Sequence, residues 1–246
     1  MRRNTGTYTM LLALGVFLAG CGGGSTTGTS TDSTSQPESP SSSASPAETA
    51  EAKEYTNAEL RELISTMKDV QGQDLTVVPA DQLDQALAVT QNLLAKATIT
   101  PEACSVFATE STQVPEGSSY AAGVSQSAQQ KTLTTITLIA VKDPQVIADE
   151  LEKSQRTVDQ CSSFTTKIDG QTIESKIEPL EVQTDGENSF GSVITQTLPN
   201  GKTQTMMSVA GTEGVLAATT VKIGTDLPAG TESELVQLVN EALAKG

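Results

Sequence analysis

From about residue 55 apolar residues recur at helical spacing in some stretches and gather into short β-prone runs in others, and the places where the pattern changes mark the chain's elements. Near the start of the patterned region, Leu60, Leu63, Ile64 and Met67 follow the i, i+3, i+4, i+7 spacing of a helix with one buried face. Thr56, with Glu59 three residues on, forms a capping-box signature that starts it. A second helix is predicted from about Asp81, with Leu83, Ala86, Leu87, Thr90 and Leu94 on one side, and Gly72 and Pro79 punctuate the connection before it. Leu133 to Val141 is dense in Thr, Ile and Leu and reads as a buried strand. Asp143-Pro144 then stops it and caps a third helix, whose stripe is Val146, Ile147, Leu151 and Val158.

Beyond Cys161 the texture changes to short β-prone runs. The runs Phe164–Ile168, Ile173–Val182, Phe190–Leu198, Thr203–Ala210 and Val215–Ile223, separated by Gly170, Gly186 and Gly211, predict an antiparallel meander. Asn200-Gly201 is the strongest turn signal and predicts a two-residue type I′ hairpin. A last helix is expected from Thr231, with Glu234 completing a second capping box and Leu235, Leu238, Val239 and Ala242 facing inward. Helices flanking a run of neighbouring strands give an α+β fold, an antiparallel sheet with packed helices, over residues 55–246. Between Gln113 and Lys131, a segment including Tyr120 and Gly123, no period is visible. That stretch is expected to be a long loop, either a ligand or partner contact or disordered.

The first 54 residues have a different texture. Arg2 and Arg3 precede an apolar stretch, Met10 to Ala19, shorter than the ~20 residues a bilayer span needs, and Leu18-Ala19-Gly20-Cys21 closes it. This tetrapeptide resembles the lipobox of bacterial lipoproteins. The resemblance implies a signal peptide over 1–20, cleavage before Cys21, thioether lipid on its sulfur and palmitate-type acylation of the new N-terminus. The expected location is the outer face of the cell membrane, with the membrane as a partner through lipid on Cys21. The alternative is an ordinary secretory signal with a chance cysteine. Two or three acyl chains hold a protein durably, at ~0.8 kcal/mol per buried methylene. Residues 21–54, rich in Ser, Thr, Gly and Pro, lack apolar surface to offset ordering entropy and read as a disordered tether reaching ~30 Å.

Loss of residues 1–20 turns 15 basic and 30 acidic side chains into 13 and 30, a formal charge of −17. Nucleic acid is excluded as a partner on that balance, because phosphate binding rests on clusters of Lys and Arg. With Cys21 assigned to lipid, Cys104 and Cys161 remain as an even pair in an exported setting, and a disulfide between them is expected; a free redox pair is the alternative, without a CxxC motif to support it. The chain has no histidine, which removes Ser-His-Asp and Cys-His catalysis and His-containing zinc sites. Two acidic groups, Asp149 with Glu150 and Glu152, and Glu181 with Asp185 and Glu187, could be nominated for glycoside hydrolysis, but they read more simply as solvated acids. Met206-Met207 lies in a strand, where neighbours point to opposite faces, so one methionine is expected in the core and one exposed. No enzyme activity, metal or cofactor is expected.

The region from about Ala58 to Leu243 resembles the PknH-like extracellular domain, found on a mycobacterial serine/threonine kinase and on several actinobacterial lipoproteins. The resemblance is carried by the leading helix Leu60–Met67, Pro101-Glu102-Ala103-Cys104, the strand, helix and Cys161, and then the sheet and last helix. It implies an antiparallel sheet with packed helices, a cleft, and a role in sensing or binding extracellular ligands. The family's second disulfide is absent, and Thr157-Val158-Asp159-Gln160 stands where its tryptophan is expected. The expected function is a lipid-anchored, non-enzymatic module binding a small ligand or another envelope component at a concave, partly apolar pocket. The alternative is a structural or interaction module acting through an exposed apolar patch.

Overall fold

The computed structural model of the chain describes residues 53–106 and 114–246. The expected signal peptide, Cys21 and the expected tether up to residue 52 lie outside them. The elements in chain order are α1 (Asn57–Ser65), β1 (Thr76–Val77), α2 (Ala80–Leu94), β2 (Thr98–Thr100), a 3-10 turn (Glu102–Ser105), β3 (Ser119–Ser127), β4 (Thr132–Ala140), α3 (Pro144–Gln160), β5 (Ser163–Ile168), β6 (Gln171–Pro179), β7 (Asn188–Thr197), β8 (Thr203–Glu213), β9 (Leu216–Gly224) and α4 (Thr231–Lys245). Among the described residues the strands form one sheet in the order β1-β3-β4-β9-β8-β7-β6-β5-β2, every pair antiparallel. The expected α+β class and the meander β5 to β9 are both present.

Strand alternation sorts the side chains onto two faces. On the first, Ile136, Leu138, Val209, Leu216 and Ala218 pack against Leu60 and Ile64 of α1 and Leu235, Leu238, Val239 and Ala242 of α4. Seven residues of α4 are buried, so this helix is sunk into the sheet. Lys245, in its last turn, donates to the Thr66 carbonyl at 2.9 Å and so joins the C-terminal ends of α4 and α1. On the second face α3 lies more shallowly, with Ile147 and Val158 its buried residues. Its N-terminal half packs on Ile139 and Val141, and Val158 meets Ile177, Ile194, Met206 and Val221.

Both expected caps on the earlier helices are made. Thr56 and Glu59 exchange the two bonds of a capping box, at 2.7 and 3.3 Å, and the bonds from Thr56 hold the Glu59 carboxyl below the usual carboxylate range. Asp143 accepts from the Gln145 N–H at 3.0 Å, with Pro144 in the first turn.

Four expectations are corrected. The segment expected to be a loop holds strand β3, paired with β4 along its whole length. It carries little apolar bulk because α1 lies almost on it: a Cβ on Gly123 would stand 2.4 Å from Ile64 Cγ2. The Asn200-Gly201 hairpin is not type I′. Only Gly201 has positive φ, and Leu198 donates to Lys202 across a three-residue loop. A two-residue loop at Asn200-Gly201 would need an N–H from Pro199, which has none. Asp169-Gly170 instead has both φ values positive, 50° and 77°, and makes the I′ turn between β5 and β6. Gly211 is no separator but lies inside β8, where a Cβ would stand 2.7 Å from Val239 Cγ1 of α4. Finally, α4 is capped by Gly230 in the left-handed region, because Glu234 turns inward to Lys222 rather than back to the cap.

Candidate functional site

The second face owes its shape to small side chains. Ser208 and Ala210 of β8 and Ala217 and Thr219 of β9 alternate toward α3, so the sheet surface dips between the larger residues that support the helix. Val146, Ile147, Leu151 and Ser154 of α3 roof this dip, Phe190 closes one side and Pro115 another, leaving a cavity of about 60 Å³. Its walls are mostly apolar, and Glu150 of α3 is its charged residue. An open groove of about 560 Å³ shares Phe190 with the cavity and runs between Gln155, Val158 and Asp159 of α3 and the connection Pro179–Gln183. Neither space is lined by a lysine or arginine among the described residues.

The disulfide fixes one end of the roof. Cys161 is the C-cap residue of α3, and it is bonded to Cys104 in the 3-10 turn after β2, with the Cα atoms 5.6 Å apart. Both cysteines are buried. The bridge therefore ties the C-terminal end of α3 to the segment leaving the far edge of the sheet.

The nominated acids do not converge. Asp149 accepts from the Gln145 side chain at 2.8 Å, Glu152 pairs with Arg156 on the solvent side of α3, and Glu150 alone turns toward the cavity. Glu181, Asp185 and Glu187 are spread along the β6–β7 connection, exposed. Glu181 and Asp185 border a separate open groove with Glu232 and Glu241 of α4. Met206 and Met207 do point to opposite faces, but both pack, Met206 in the second-face core and Met207 against the first, because helices cover both sides.

Tyr120, nominated as part of a contact loop, is instead a strut. Its hydroxyl donates to Asp84 of α2, its N–H donates to Asn57 Oδ1 at 2.9 Å, and its ring packs beside Ile139 and Val141. The bond to Asp84, followed by desolvation, pushes the phenol up to about 12. Sequence reasoning expected a concave, partly apolar pocket between sheet and helices but did not place it or name its lining. The signal was present in the small residues at alternate positions 208, 210, 217 and 219, but their common neighbour, α3, lies far off in sequence.

No protein-family model matches the chain, and no curated protein matches it. Among solved structures it is similar to the extracellular domain of PknH from Mycobacterium tuberculosis, at 10% identity and a TM-score of 0.47 over 70% of this chain and 99% of that one. It is also similar to an uncharacterised protein of Mycobacterium smegmatis, an Rv0999 ortholog, at 15% identity and a TM-score of 0.41 over 61% of this chain and 75% of that one.

Proposed function

We propose that this protein is a non-enzymatic binding module of the cell envelope, held to the outer face of the membrane by lipid on Cys21. It takes a small ligand or envelope component at the cavity beneath α3. The observation that carries this reading is the void itself: a mostly apolar space under a helix that is shallowly docked on a sheet whose other face is tightly filled. Small ligands bind in concave, mostly apolar spaces with few polar groups, and here the small cavity opens beside a groove of about 560 Å³ with which it shares Phe190. The Leu18–Cys21 tetrapeptide and the polar tether support the location, and the dispersal of the nominated acids supports a role in binding rather than hydrolysis. An interaction module would favour a broad apolar patch; the exposed large hydrophobics among the described residues are Val70, in the turn between α1 and β1, and Val89 of α2.

The test is native mass spectrometry of the protein purified from its own membranes, beside an Ala210→Leu variant that fills the floor of the cavity. A non-covalent adduct on the wild type that Ala210→Leu lacks supports the reading. An adduct-free wild type, or one whose adduct survives Ala210→Leu, overturns it. Lipid on Cys21 is checked in the same spectra, and a Cys21→Ala chain should leave the membrane fraction.

A further inference from the structure

Building on that reading, we propose the chemical class of the occupant: an unbranched alkyl chain whose end enters the cavity past Phe190, carrying an uncharged or cationic polar head that lies in the adjoining groove.

The cavity's width selects the chain. At about 60 Å³ it is well below the roughly 150 Å³ void that accommodates a benzene ring, and far below the ~300–1,000 Å³ of a pocket that encloses a whole ligand. A ring or a branched group does not fit beneath Leu151, whereas the last few methylenes of a linear chain do. Ile139, Ile147, Leu151 and Phe190 line that space with carbon, so each methylene that enters exchanges water for apolar wall.

The groove selects the head. Gln155, Gln183 and Ser189 offer neutral donors and acceptors there, while Asp159 and Glu181 supply negative charge, with Glu150 at the cavity roof. With no lysine or arginine lining either space, a carboxylate or phosphate head would meet like charge and no partner. A sugar, amide or ammonium head finds hydrogen bonds or attraction.

Isothermal titration on the full chain carrying Cys21→Ala, which needs no detergent, tests this with octyl, nonyl and decyl maltoside, decyltrimethylammonium and decanoate, each below its micelle threshold. Affinity for the maltosides should rise about fourfold per methylene until the cavity is full. Decanoate should bind at least tenfold more weakly than decyl maltoside, and Asp159→Lys/Glu181→Lys should narrow that gap. Ala210→Leu should abolish the chain-length dependence; should that variant fail to fold by circular dichroism, Leu151→Trp fills the space from the roof. Affinity independent of chain length, or decanoate binding as tightly as the maltoside, overturns the proposed class. If that occurs while the native adduct remains sensitive to Ala210→Leu, a small-ligand site stands and only its chemistry is wrong. Absence of both overturns the two together.

Discussion

Lys222 and Glu234 form an ion pair where water does not reach, and its removal should have a sign that a surface pair would not show. Lys222 sits on β9 between Thr134 of β4 and Met207 of β8, and its Nζ donates to Glu234 Oε2 of α4 at 2.6 Å. The two side chains are 2% and 9% exposed, so neither ion can turn to solvent without moving the helix. Glu234→Leu leaves an ammonium in the core without its counter-charge, a change that costs about 3–5 kcal/mol. For a folded region of about 190 residues each kcal/mol shifts Tm by ~2–4 °C, so the variant should melt ~6–20 °C lower. Lys222→Met should lose a similar amount. The double variant Lys222→Met/Glu234→Leu should regain most of it, or exceed the wild type, because the desolvation cost of both ions disappears with them. Urea unfolding followed by far-ultraviolet circular dichroism gives the full double-mutant cycle, and that probe suits a chain without tryptophan. The reasoning is refuted if each single variant costs under about 1 kcal/mol, or if the double variant costs the sum of the two. The first result would mean a solvated pair, the second two ions that do not depend on each other.

Three further outcomes are expected. Gly123→Ala should destabilise by about 1–3 kcal/mol, because its Cβ meets Ile64 Cγ2, and Gly123→Ala/Ile64→Ala should cost less than the sum of its parts in urea unfolding. The Tyr120 phenol should titrate near pH 12 by ultraviolet absorbance and fall toward 10 in Asp84→Asn. Since the folded value lies above the unfolded one, the stability from this bond is full below pH 10 and is lost as pH rises through 12; a wild type whose stability over that window matches Asp84→Asn would disprove it. Reduction of Cys104–Cys161, which closes a separation of 57 residues, should cost up to ~4 kcal/mol on the chain-entropy model, and unfolding with and without reductant measures it.

How much of this was legible in the sequence depended on whether the decisive contact was local. The caps at Thr56 and Asp143 are local hydrogen bonds between near neighbours, and they form where the sequence places them. The five strands after Cys161 are runs of β-prone residues, a local signal that holds whichever face is buried. β3 was illegible because its composition answers to α1: Ala121 and Gly123 are small so that Ile64 can approach, which removes the apolar signal a strand usually shows. Glu234 misled for the same reason, its capping geometry competing with a lysine twelve residues earlier that only the fold brings near. The turn at Asn200-Gly201 was misread through a single neighbour, Pro199, whose missing N–H was visible in the sequence. The cavity draws on β4, β7, β8, β9 and α3 at once, so no window of sequence contains it.

Strand β8 shows why that cavity is a matter of side-chain choice and not of loose packing. Along one strand, Val209 and Gly211 turn to the first face and Ser208 and Ala210 to the second. At Gly211 the strand accepts α4 so closely that even a methyl group would collide with Val239. One residue away, Ala210 faces α3 across empty space that a leucine would occupy. The same backbone, held in register with β7 and β9 on both sides, therefore supports near-contact packing on one face and a void on the other. Deep burial of α4 and of Leu60 and Ile64 concentrates apolar stabilisation on the first face, at roughly 1.5–3 kcal/mol for each large side chain. The second face, with two buried residues on its helix and a disulfide at that helix's end, contributes less to that core and is held in place covalently. A change of contents beneath α3 thus costs the fold little, which is the condition a binding site needs and which the first face, filled to contact, does not meet.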